Sequence, residues 1–305
     1  MQTPWGDIPV ADAHLHCFSH GFLSLLGSQM AQPQPPEELC RRLDWQTPPE
    51  SPTQFAAQWA AELDRHQVSR STLISSARGD EETVLLAAAA FPDRFLPWFF
   101  LNPVEPAAPA NCDAWLKRGM RALCLFPAMH AYPLSDPRVE EVLQVAEAAG
   151  ALVFVHCGVL SVGVRKKLGL PSPFDMRYSN PIDLHGVALR HSRLNFIVPH
   201  FGAGYFREAL MLAGLCPNVY LDTSSSNAWT RFHAPELTLE QVFERALDVA
   251  GPSRLLFGTD SSFFPRGWHR QILNRQLTAL QHNGIGPEEA RQILGGNLLR
   301  LHKIS

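Results

Sequence analysis

The chain is predicted to be an α/β protein, a distorted (β/α)8 TIM barrel with long loops at the C-terminal face, and three observations predict it. Eight short apolar runs begin near residues 8, 71, 95, 120, 151, 194, 218 and 254, most of them separated by helix-length segments. Several runs, "ALVFVHCG" at 151–158 above all, are apolar on both faces, as strands enclosed in a parallel sheet are. Ionisable residues gather at the ends of the runs: His14 and His16 on the first, His156 on the fifth, His200 on the sixth, Asp222 on the seventh and Asp260 on the eighth. A β/α barrel brings those ends to one mouth, where the fold keeps its chemistry.

In chain order, "VADAHLHC" (10–17) opens as a strand, and the proline-rich region 17–51 follows as an irregular excursion with room only for short helical pieces. Ser51 reads as the N-cap of a helix with Pro52 in its first turn and Phe55, Trp59 and Leu63 on one face. Strand 69–77 and helix 80–92 come next, then strands at 94–103 and 119–127, a helix at 136–150 closed by Gly150, and the strand 151–158. A second excursion, 157–180, overhangs the mouth. Beyond it the alternation resumes with helix 181–190, strand 194–202, helix 203–214, strand 218–224, helix 234–251, strand 253–262 and helices at 268–281 and 287–294. One domain covering 1–305 is expected, since α/β barrels reach this length as single units. A doubly wound open sheet is the rival fold. Its usual nucleotide site needs a glycine-rich turn after the first strand, and none follows "VADAHLHC".

Hydrophobic residues make up 46% of the chain, charged residues 18%, and the net charge is −3. That balance supports a full core and argues against a nucleic-acid partner. The lack of a long apolar run or a basic-then-apolar leader predicts a soluble, cytoplasmic protein with no membrane partner. Six scattered cysteines read as reduced thiols.

Side chains at i and i+2 of a strand share a face, so His14 and His16 are expected to point together toward the barrel axis, with Leu15 turned outward. With His156 and Asp260 they form an N/O donor set suited to one divalent ion, Zn²⁺ above all, though Mn²⁺, Fe²⁺ or Co²⁺ can occupy such a set. Asp12 is placed on the same face two residues deeper. It and Asp222 are read as groups that support the ligands from behind. His66, His191, His282 and His302 are read as surface or capping residues.

The runs "DAHLH" (12–16), "FVHCG" (154–158), "VPHFG" (198–202), "FGTDSSFFP" (257–265) and "GGNLLRL" (295–301) span the chain. Taken together they resemble the amidohydrolase superfamily, in its amidohydrolase-related branch of decarboxylases and lactonases similar to aminocarboxymuconate-semialdehyde decarboxylase. The resemblance implies that His14, His16 and His156 hold one metal, usually zinc, with Asp260 as fourth ligand and proton acceptor. It also implies that His200 serves beside them as acid/base or electrostatic partner. Two-metal relatives carry a carboxylated lysine on the fourth strand. Here "RALCLFP" offers Cys124, Leu125 and Phe126, which argues for a single ion. A homodimer is the assembly the resemblance allows.

The expected function is a metal-dependent hydrolase acting on a small, carboxylated carbonyl compound such as a lactone or amide. The alternatives are a non-oxidative decarboxylase of an aromatic or enoic acid, which uses the same residues, and a non-catalytic barrel that only binds. For a substrate carboxylate the sequence offers Arg177 with Tyr178 in the 157–180 excursion, and Arg266 just beyond Asp260. Lys166 and Lys167 read as solvent-facing charges.

Overall fold

The computed structural model describes residues 1–160, 162–172, 174–225 and 227–304, so residues 161 and 173 of the 157–180 excursion and residue 305 of the expected domain lie outside the described residues. Eight strands form the barrel: β1 (Val10–Asp12), β2 (Val68–Ser75), β3 (Phe95–Phe100), β4 (Ala122–Leu125), β5 (Leu152–Val155), β6 (Asn195–Val198), β7 (Val219–Asp222) and β8 (Leu255–Leu256). Each pairs in parallel with its neighbour in the chain. A short piece, His16–Cys17, resumes β1 after a break and pairs with Ile74 and Ser75. The ring closes where β1 meets β8: Ala13 N donates to Phe257 O (2.8 Å), Asp260 N to His14 O (2.9 Å) and His16 N to Ser261 O (2.8 Å). This is the distorted (β/α)8 barrel that the alternation predicts.

Alternation along each strand sorts the core into two layers. Ile74, Trp98, Cys124, Phe154, Ile197, Tyr220 and Leu256 fill the barrel interior. Leu73, Phe99, Leu125, Val155, Val198, Leu221 and Phe257 pack outward among the helices. Helix Pro52–Arg65 shows why its segment is helical: the Ser51 hydroxyl accepts from Gln54 N at 3.4 Å, proline occupies the first turn, and Phe55, Trp59 and Leu63 are buried. All six cysteines are buried free thiols.

Region 17–51 is more ordered than its prolines suggest. It holds helices His20–Ser28 and Pro36–Leu43, because Pro36 sits in a first turn, where it costs no hydrogen bond. Their apolar sides (Phe22, Leu26, Leu39, Leu43) join Val164 and Leu168 of the second excursion in a small separate cluster. The two excursions therefore pack on each other as a cap beside the mouth. The final helix also differs from expectation: Pro287–Arg291 passes through a wide turn, Gln292–Gly296, into Asn297–Leu301. Gly295 allows this, since a Cβ there would stand 2.8 Å from Ala11 N and 2.9 Å from Pro9 O.

Candidate metal centre

The break in β1 decides which polar side chains reach the mouth. Ala11 and Ala13 occupy the barrel interior, so Asp12 between them faces the other way. Its carboxylate accepts from Trp268 Nε1 (2.7 Å), Thr259 N (3.1 Å), Thr259 Oγ1 (2.5 Å) and His14 N (2.8 Å). The expectation that Asp12 shares a face with His14 and His16 is thus corrected. Asp12 touches the His14 backbone and bolts β1 to β8. After the break the phase has shifted by one residue, and His14 and His16 line the cavity while Leu15 packs outward.

Three side chains converge at this point. His14 Nε2 and His16 Nε2 are 3.2 Å apart, and Asp260 Oδ1 lies 3.8 Å from the first and 3.5 Å from the second. One ligand atom from each falls within 4.8 Å of the others, so the three could hold a divalent ion. Both imidazoles are tethered from behind. His14 Nδ1 donates to Asp222 Oδ2 at 2.6 Å, and His16 Nδ1 lies 3.0 Å from Ser76 Oγ. A carboxylate on Nδ1 fixes the hydrogen there and leaves the Nε2 lone pair for a metal.

His156 and His200 reach the cavity by different routes. His156 simply continues the inward phase of Leu152 and Phe154. Its ring is 5% exposed, and its Nδ1 is buried with no hydrogen-bond partner among the described residues. It lies outside the compact three-residue cluster. The inward phase of β6 would present Pro199, and a left-handed turn at His200 (φ 55°) and Phe201 (φ 52°) brings the histidine in instead. Its ring centroid lies 4.9 Å from that of His14 and 5.5 Å from that of His156. Asp260 is also left-handed, at φ 61°. His200, Phe201 and Asp260, three non-glycine residues in this region of φ, mark local strain held in place by the surrounding packing.

The electrostatics suit metal ligation. Burial holds His16 down to about 3, with the nearby His14 charge adding to it. Burial likewise lowers His156 well below the ordinary histidine value, and His200 below it. Burial also works against charge on His14, but the Asp222 carboxylate outweighs it and raises this one ring. Burial pushes Asp222 upward, and the His14 charge overcomes it, so Asp222 ends below its usual range. Neutral imidazoles are what a Zn²⁺ site requires, and burial favours that form for His16, His156 and His200, while Asp222 opposes it at His14. On β4 the inward position belongs to buried Cys124, so that strand offers no lysine to bridge a second ion.

The cavity above these residues is about 480 Å³. Phe18, Phe22, Trp45 and Phe263 build one wall, with Trp45 and Phe263 stacked at 4.1 Å and Phe18 and Phe22 at 4.3 Å. Arg266 borders it, its guanidinium 4.4 Å over the Phe263 ring and donating to Asp260 O and Ser262 Oγ at 3.1 Å each. Arg177 and Tyr178 are not brought to the cavity. Arg177 is 80% exposed and bound by Asp175, two residues away, which holds its charge on the surface. Lys167, read as a solvent charge, borders the cavity, as does Arg231. The sequence reading missed Arg231, Ser76 and Ser224. Ser76 was within reach, since it is two residues beyond the inward Ile74.

An amidohydrolase family model matches residues 11–303. The curated protein fluG of Emericella nidulans is 29% identical over 156 residues, covering 50% of this chain but only 16% of its own length. Among solved structures, 5-carboxyvanillate decarboxylase from Sphingomonas paucimobilis superposes with a TM-score of 0.66 at 16% identity, over 98% of this chain and 100% of that one. An amidohydrolase from Burkholderia multivorans with bound zinc does so with a TM-score of 0.57 at 15% identity, over 97% and 99%. At such identities the solved structures establish the shared fold.

Proposed function

The chain belongs to the amidohydrolase family, and from that premise we propose that it is a metal-dependent hydrolase of a small, carboxylate-bearing carbonyl compound such as a lactone or amide. One observation carries this reading. Asp260 stands within 4 Å of two tethered imidazoles, yet its side chain stays 33% exposed, so it can meet both an ion and a water molecule. His14, His16, His156 and Asp260 would hold one divalent ion, zinc by donor type. A metal there supplies an acidified water and polarises a carbonyl oxygen.

The chain's own groups do the rest. Asp260 accepts the proton of the attacking water. His200 Nδ1 donates to Ser224 O at 2.9 Å, so its Nε2 remains free to receive or return a proton at the leaving atom. Arg266 at the rim would take the substrate carboxylate, and the aromatic wall would exclude water from the rest of the ligand.

The wall itself favours one second reading. Stacked rings suit a planar acid, and non-oxidative decarboxylation of an aromatic or enoic acid would use the same ligands. The reading carried over from the named decarboxylase points the same way. A panel of lactones, amides and aromatic acids, offered to zinc-loaded protein and read by mass spectrometry, separates the two. Ring-opened or cleaved products with gain of water support the hydrolase, whereas rapid CO₂ release from the acids sinks it.

A further inference from the structure

Ser224, two residues beyond the end of β7, is fully buried and uses every polar atom it has on the site. Its N–H donates to Asp222 Oδ1 at 2.6 Å, and its carbonyl accepts from His200 Nδ1 at 2.9 Å. Its hydroxyl oxygen lies 2.8 Å from His14 Nδ1 and 3.0 Å from His200 Nδ1. Each of those Nδ1 atoms also faces a group that can only accept, the Asp222 carboxylate for His14 and the Ser224 carbonyl for His200, so each carries hydrogen. The hydroxyl oxygen is the second acceptor for both. The turn cannot back away from the rings. A Cβ on Gly258 would fall 2.7 Å from Asp222 Oδ1, 2.8 Å from Ser224 Cβ and 2.9 Å from His14 Cβ, so these groups already fill the space against that backbone.

We propose that the Ser224 hydroxyl is a positioning group that ties the His14 and His200 rings together, fixing their spacing and tilt while Asp222 and the Ser224 carbonyl keep hydrogen on the two Nδ1 atoms. One oxygen between two N–H groups sets the spacing of the rings, whose centroids are 4.9 Å apart and tilted by 31°. It thereby fixes the metal-side histidine relative to the proton-transferring one, a relation that neither Asp222 nor the backbone carbonyl provides alone. The proposal rests on the metal-dependent reading only for its ion-binding arm.

The test uses the full chain as wild type, Ser224→Ala and Ser225→Ala. The last removes an adjacent buried hydroxyl that has no hydrogen-bond partner among the described residues. Ser224→Cys, of similar volume but a weaker acceptor, serves if the alanine variant does not fold. Long-range ¹H–¹⁵N imidazole spectra of the zinc-free proteins read the tautomers, and competition with a chelating dye reads zinc affinity. Wild type and Ser225→Ala are expected to show both rings with hydrogen on Nδ1. In Ser224→Ala the backbone carbonyl and Asp222 keep both tautomers, but the Nδ1 resonances of His14 and His200 shift as each loses its second acceptor, and zinc binding weakens on the order of tenfold. Nδ1 resonances of both rings unchanged from wild type overturn the proposal, as does wild-type zinc affinity of the variant when the parent does bind zinc. If the parent takes up no zinc, the metal-dependent reading fails by itself, and the imidazole spectra still decide for or against the tie.

Discussion

At the floor of the barrel Trp98 Nε1 donates to His302 Nε2 at 3.2 Å, and the two rings stack with centroids 5.9 Å apart. At the mouth His156 is buried to the same degree, 5% exposed against 7%, yet its Nδ1 meets no partner among the described residues. Burial keeps both rings neutral, holding His302 down to about 3 and His156 well below its ordinary value. Burial and neutrality therefore do not mark a ligand. What separates the two ends is the setting: at the floor an indole already occupies the ring nitrogen, and at the mouth His156 keeps an unpartnered Nδ1 and borders a cavity that two tethered imidazoles and a carboxylate also enter.

If the ends are separate devices, damage to one should leave the other intact. Asp260→Asn is expected to lower turnover of zinc-loaded enzyme by about 10²–10⁴-fold on the substrate the panel identifies, through loss of the proton acceptor. Mass spectrometry of protein prepared without chelator should find about one equivalent of divalent ion in wild type and none in His14→Ala/His16→Ala. Close to two equivalents would contradict the single-ion reading. At the floor, Trp98→Ala removes a fully buried ring and should cost about 3–5 kcal/mol in chemical denaturation while keeping the wild-type metal content. Loss of metal from that variant would show that the floor shapes the mouth.

The floor also predicts a pH effect. In the unfolded chain His302 takes up its proton near 6.5, but in the folded protein only near 3. The unfolded state thus binds the extra proton between those values, so stability is fully present above 6.5 and is lost as pH falls toward 3. By pH 5 the loss from this one group is on the order of 2 kcal/mol. His302→Gln should reduce, by this group's share, the difference between denaturation midpoints at pH 7 and pH 5, the buried mouth histidines keeping theirs. Parallel profiles for the variant and wild type would show that the Trp98–His302 bond does not couple folding to protonation.

The same contrast explains what could be read in advance. His14, His16, His156, Asp222 and Asp260 stand out in the sequence because strands apolar on both faces make any terminal polar residue conspicuous, and period two assigns its face. His302 does not stand out, because its partner Trp98 is distant in sequence and only the closed barrel joins them. Asp12 was given the wrong face for a related reason. The break after it is made by backbone bonds to β8, from Ala13 N to Phe257 O and from Asp260 N to His14 O, and no local pattern encodes them. The left-handed turn at His200 is equally non-local, whereas the helix at Pro36 was locally legible as a first-turn proline.

Arg177 and Arg266 give the finest form of the comparison, between a charge satisfied by the protein and one left for a ligand. Asp175 precedes Arg177 by two residues and binds it on the surface through Nε and Nη2. Among the described residues Arg266 has only a carbonyl and a hydroxyl as hydrogen-bond acceptors, both at 3.1 Å, and it borders the cavity. A guanidinium without a carboxylate of its own can bind that of a substrate, a charged hydrogen bond worth about 1.5 kcal/mol, so Arg266→Ala should raise KM roughly tenfold with little change in kcat. Arg177→Ala should leave KM within about twofold, since exposed ion pairs of this kind contribute little. The opposite result, a KM rise confined to the Arg177 variant, would mean that substrate draws the 157–180 excursion over the mouth and frees Arg177 from Asp175.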